Sequence, residues 1–221
     1  LVNAWGFGPD GPQTDVSDQE IAELLTFVGY EKIKLDTAKQ TLTKQHPKTY
    51  VDLSAIAKGY AVDRVVKTIE NLGHTNYMVE IGGEVFAKGT NPKDGPWRIG
   101  IETPSAHAPG IFDVVTLAGQ AMATSGDYRN FYQNKGQKFS HTIDPKTGRP
   151  IKHNLASVSV LADSCAKADA LATALNVLGP IEGPKLAKKQ GIAALFIIRD
   201  ESGKLQESQT SGFANARQEA K

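Results

Sequence analysis

The chain has 221 residues, 40% of them apolar and 22% charged, so it can bury a sizeable core and is not dominated by disorder. Its 25 basic and 24 acidic residues leave a formal net charge of +1, which excludes a bulk field that would recruit nucleic acid or an anionic membrane. A single cysteine, Cys165, excludes an internal disulfide and a cysteine-rich zinc site while leaving the compartment open.

Residues 1 to 14 are punctuated by Gly6, Gly8, Pro9, Gly11 and Pro12, which predicts an irregular segment packed by Trp5 and Phe7. Opening on Leu1, with no charged-then-apolar leader, the chain reads as the middle of a domain and predicts a preceding N-terminal portion. Ser17 with Glu20 matches a capping box, and Ile21, Leu24, Leu25 and Val28 follow at helical spacing as far as Gly29. Weak alternation around Lys32 to Leu35, Thr41 to Thr43 and Thr49 to Leu53 predicts strands or a hairpin. From Ser54 to Leu72 the spacing of Ile56, Ala61, Val65, Val66, Ile69 and Leu72 predicts a second helix, stopped by Gly73.

Strand-like runs follow at Tyr77 to Ile81, Glu84 to Ala87, Trp97 to Glu102, Asp113 to Leu117 and Ser157 to Ala162, several without intervening helices. Helices are expected from about Cys165 to Leu178 and Pro184 to Gln190, then a strand from Ala193 to Ile198 and a frayed tail after about Gln209. The sum is an α+β chain with largely antiparallel sheet and packed helices, read as one domain over residues 1 to 221. No apolar run approaches the roughly 18 to 20 residues of a membrane span.

Four constellations carry chemistry. In Asp52-Leu53-Ser54-Ala55-Ile56-Ala57-Lys58-Gly59-Tyr60-Ala61-Val62-Asp63 an extended segment enters a helix start, where backbone donors and Lys58 can attract phosphate; equally, Asp52 and Ser54 can simply cap the helix. Gly82-Gly83 in Ile81-Gly82-Gly83-Glu84 admits a close ligand or a tight turn. Hydroxyls, arginines and a histidine crowd into Ala123-Thr124-Ser125-Gly126-Asp127-Tyr128-Arg129 and His141-Thr142-Ile143-Asp144-Pro145-Lys146-Thr147-Gly148-Arg149-Pro150, segments read as loops; His141 can serve as a general base or sit idle at the surface. Asp169 and Thr173, four apart on an Ala- and Leu-rich helix, share a face that suits a hard cation, although Thr173 can instead bond back along its own helix.

In this order the motifs resemble the ApbE family of flavin transferases, from Trp5-Gly6-Phe7-Gly8-Pro9 to about Ile198. The resemblance implies an ApbE-like fold and magnesium-dependent cleavage of FAD, with FMN joined by a phosphoester to a Thr or Ser of an acceptor protein and AMP released. It implies that Asp52 contacts FAD, that Lys58 lies beside the flavin site and Ile143 against the nucleotide, and that Gly82, Gly83, Thr124 and Ser125 complete the cofactor-binding set. Magnesium would be held by the Ala55 carbonyl and the side chains of Asp169 and Thr173, with His141 the base for the acceptor hydroxyl. It further implies a periplasmic or cell-envelope protein, lipid-anchored through a preceding segment, acting on a flavoprotein subunit of a redox pump. A magnesium-dependent FAD pyrophosphatase and a non-catalytic flavin-binding protein are the alternatives, and no basic patch with interleaved aromatics suggests nucleic acid.

Overall fold

A computed structural model describes residues 1–8, 16–105, 110–126, 131–134 and 137–218, and side chains are described for all of these except 131–134, 137, 138 and 218. The chain divides into two compact units, where the sequence reads as one domain: the first is Leu1–Asp52 with Asn130–Lys152, the second Leu53–Arg129 with His153–Lys221.

The first unit holds α1 (Asp18–Leu25), a 3-10 turn at Tyr30–Lys32, and the hairpins β1 (Ile33–Asp36) with β2 (Thr41–Lys44), β8 (Phe131–Asn134) with β9 (Gln137–Ser140), and β10 (Ile143–Asp144) with β11 (Arg149–Pro150). The Ser17 hydroxyl accepts from the Glu20 amide, as the capping pattern predicts. Thr49 to Leu53 forms no strand: the Thr49 hydroxyl donates to Phe27 O at 3.0 Å and its amide closes a turn onto His46 O, so the segment has no ladder partner. Trp5, Ile21 and Phe139 form the core, with Phe7, Leu25 and Ile143 packed around it.

The second unit is layered. Its sheet runs β14 (Leu205–Gln209), β13 (Ala193–Arg199), β12 (Leu155–Ala162), β7 (Gln120–Gly126), β4 (Glu84–Lys88), β3 (Tyr77–Ile81), every neighbour antiparallel. The helices α2 (Ala57–Asn71) and α3 (Cys165–Gln190) cover one face through Val62, Val66, Ala168, Ala172 and Leu175. The hairpin β5 (Trp97–Glu102) with β6 (Ile111–Leu117) and the helix α4 (Ser211–Gln218) cover the other through Ile101, Val115, Leu117 and Phe213.

One expectation is corrected here, and one holds with a shifted boundary. The segment after Gln209, expected to fray, holds α4, because Phe213 is fully buried against the sheet and Arg217 pairs with Asp113, Glu207 and Gln209. The two late helices are separate as expected, parted at Gly179, whose φ of 74° ends the first; only the second begins before Pro184. Pro180 has no N–H for the Asn176 carbonyl, and His153 Nε2 meets that carbonyl at 2.8 Å instead. Among the described residues, no helix is long and apolar enough to cross a membrane.

Candidate functional site

The second unit draws one part of the candidate set together at the junction of α2 and α3. The N-cap position of α2 is Ile56, which has no side chain to offer the first-turn amides. Asp169 of α3 supplies the missing acceptor, its Oδ2 receiving the Gly59 amide at 3.0 Å. The favour is returned: Asp63 of α2 accepts from the Cys165 and Ala166 amides at 2.7 and 2.9 Å, capping the start of α3. Such reciprocal capping needs close helices, and Gly59 permits it, since a Cβ there would lie 2.3 Å from the Cys165 carbonyl oxygen.

Beside this junction Lys58 Nζ donates to Glu84 Oε1 at 2.6 Å. Glu84 is buried, and burial pushes its carboxyl above the usual range, against the pull of Lys58; the nearby Asp169 charge adds to the rise. Asp169, also buried, is raised for the same first reason and held back by the Gly59 amide and Lys58. The Cys165 thiol is pushed up to about 12 by burial and by Asp63, Glu84 and Asp169, so it stays a neutral core residue. Two buried carboxylates thus share one lysine.

Gly82 and Gly83 form the two-residue turn between β3 and β4, both at positive φ (61° and 99°), which the twist of a tight hairpin favours. A Cβ on Gly82 would also sit 3.1 Å from Lys58 Cδ, so the turn closes over the lysine stem.

Thr124 and Ser125 are not in a loop. They lie on β7 in mid-sheet, where period-two alternation sends them to opposite faces. The Ser125 hydroxyl accepts from Asn176 of α3 at 3.3 Å, on the side that carries Asp169, whereas Thr124 meets Ser159 at 2.7 Å on the hairpin side. Only Ser125 shares the face of the α2–α3 junction. Small side chains in this strand let α3 pack closely on the sheet, a reason that outweighs their turn propensity. Asp127, Tyr128 and Arg129 lie outside the described residues.

Asp169, half-buried Thr173 and fully buried Asn176 recur at positions i, i+4 and i+7, one polar stripe on a buried helix face. Sequence reading assigns no role to Asn176, Glu84 or Asp63. The stripe was a signal for the first, and the glycine pair fixes the position of the second; Asp63 gave none, because its partners lie 102 and 103 residues away.

The first unit holds Asp52, His141 and Ile143. Asp52 is exposed at the end of the unit's first segment, and Ile143 packs on the Trp5, Ile21 and Phe139 core. His141 is half-buried just after β9, its ring edge-on to Phe7 with centroids 6.3 Å apart. The Asp-Pro-Lys-Thr-Gly string is a turn between β10 and β11, closed by the Gly148 amide on Asp144 O and anchored by Trp5 Nε1, which donates to Gly148 O at 2.8 Å. These contacts fix the backbone on which His141 and Ile143 stand.

Residues 1–196 match the model of the ApbE family. The chain belongs to the ApbE family. It is 47% identical over 207 residues to an FAD:protein FMN transferase of Haemophilus influenzae and 44% identical over 204 residues to one of Vibrio cholerae, covering 92% of this chain in both cases. The chain spans 60% of the length of each of these relatives. Among solved structures, the apo flavinyl transferase ApbE of Pseudomonas stutzeri superposes with a TM-score of 0.85 at 40% identity, over 98% of this chain and 66% of that one. The antiparallel α+β architecture is accordingly that of ApbE flavin transferases.

Proposed function

We propose that this chain forms the metal- and flavin-handling part of a magnesium-dependent FAD:protein FMN transferase. The observation that carries the reading is the α2–α3 junction, where Asp169, Glu84 and Lys58 gather beneath a helix start; the names of the FAD:protein FMN transferase relatives supply the substrate.

The donor set fits a hard cation. Asp169 takes the Gly59 amide that helix geometry would direct to the carbonyl of Ala55, so that carbonyl is not given its helical donor, while Thr173 stands one turn from Asp169. Among the described residues no three acidic, histidine or cysteine side chains form a metal cluster, so a cation here would rest on Ala55 O, Asp169 and the Thr173 hydroxyl together. When bound, magnesium would offset the charge that develops on the pyrophosphate.

Lys58 adds a fixed positive charge for that anion. Asp52 would hold FAD and Ile143 would lie against its nucleotide, roles carried by the likeness. His141 would take the proton of the acceptor hydroxyl as that oxygen bonds to the FMN phosphorus; the bond from that phosphorus to the bridging oxygen breaks, and AMP leaves with that oxygen. The reading extends to an acceptor that is a flavoprotein subunit of a redox pump, and to a cell-envelope location with a lipid anchor ahead of Leu1. Recovery of the native protein from the cytosol alone would overturn the location.

The test is incubation of the native protein with FAD, magnesium and an acceptor, reading AMP by chromatography and acceptor mass for added FMN. AMP with a modified acceptor supports the transferase. AMP with free FMN and no adduct would replace it with a pyrophosphatase, and intact FAD with a flavin-binding protein.

A further inference from the structure

Glu84 is a costly residue that the FAD reading leaves without a task. It is 2% exposed while its partner Lys58 keeps 47% of its side chain in solvent. A lysine with that much solvent needs no buried counter-ion, and an apolar residue at position 84 would serve the core at least as well. One carboxylate oxygen is spent on Lys58, and the other, Oε2, is buried with no hydrogen-bond partner. The same turn also crowds the lysine stem, because a Cβ on Gly82 would lie 3.1 Å from Lys58 Cδ.

We propose that Glu84 is a positioning residue: it clamps the Lys58 ammonium in one place so that the lysine's remaining N–H donors meet the phosphate of an anionic ligand without first being ordered. An ammonium carries three donors, and one is used by Glu84. A free lysine on its flexible stem would lose rotamer freedom on binding, and the clamp moves that cost out of the binding step. The ligand's identity as FAD rests on the function proposed above; the clamp does not.

The sign of one effect decides the matter. If Glu84 merely neutralised Lys58, removing its charge would tighten binding of an anion. If it positions Lys58, removing its charge weakens binding. Affinity for FAD, read by flavin fluorescence, is compared in the wild type, Glu84→Gln, Lys58→Met and the double variant, with folding followed by circular dichroism. Glu84→Gln should weaken binding about tenfold, and the double variant should bind no more weakly than Lys58→Met alone. Unchanged or tighter binding by a folded Glu84→Gln, or losses that multiply in the double variant, would overturn the proposal. Glu84→Asp, which keeps the charge but draws it back by one methylene, should also weaken binding and serves if the glutamine variant does not fold. The same cycle run with inorganic pyrophosphate separates the two readings: coupling seen with pyrophosphate in a protein that ignores FAD would keep the clamp and remove the FAD assignment.

Discussion

Gly59→Ala sets helix propensity against helix packing. Alanine in the first turn of α2 gains up to about 1 kcal/mol over glycine. The new methyl, however, would sit 2.3 Å from the Cys165 carbonyl oxygen, 2.6 Å from its carbon and 2.8 Å from Ala166 Cα, all backbone atoms that no rotamer change can move. Forcing the helices apart costs roughly 1–3 kcal/mol by analogy with overpacked cores. The shift also pulls the Gly59 amide off Asp169, a bond to a carboxylate worth about 1.5–3 kcal/mol. The net expectation is a loss of about 1.5–5 kcal/mol, or a melting temperature lower by about 3–20 °C for a chain of this size. Thermal unfolding by circular dichroism measures it. Asp169→Asn keeps a side-chain oxygen for the amide and leaves the helices their distance, so it should cost less. A melting temperature equal to or above wild type in Gly59→Ala would refute the backbone contact between α2 and α3.

Glu84 also predicts a pH dependence. Its folded pKa lies above the unfolded value near 4.3, so in the window between them the folded chain holds a proton that the unfolded chain has lost, and stability falls as pH rises through it. The melting temperature of Glu84→Gln minus that of wild type should therefore climb as pH rises from about 4 and then level off; a flat difference would contradict the burial of that carboxylate. Arg217→Ala removes the tie between α4, β6 and β14 and should cost about 1–3 kcal/mol in urea unfolding, with earlier proteolysis near the C-terminus. His141→Ala should spare FAD binding and slow FMN transfer by about 10²–10⁴, whereas Asp169→Ala should lose activity and magnesium response together. Wild-type transfer rates in either variant would remove that residue from the mechanism.

Elements whose pattern is local were legible in the chain itself. The strands at Tyr77–Ile81 and Trp97–Glu102 fall where alternation and flanking turn residues place them, and the α1 cap follows from Ser17 and Glu20. The break in α3 was written in Gly179 and Pro180, even though the second part begins earlier than expected. The motif strings carried the family, because each is contiguous and their order survives without any knowledge of the fold.

Tertiary structure decided the rest, for one physical reason: sequence spacing reports which residues share a face of one element, not what stands opposite. Ala123 to Arg129 reads as a loop because hydroxyls crowd around Gly126, and only the neighbours β4 and β12 make its start part of the mid-sheet strand β7, sending Thr124 and Ser125 to opposite sides. Asp169 was legible beside Thr173 on its own helix, but only folding brings it beneath the Gly59 amide, 110 residues away in the chain. Glu84 gained its meaning in the same way, from a lysine 26 residues earlier whose stem lies close to a glycine turn.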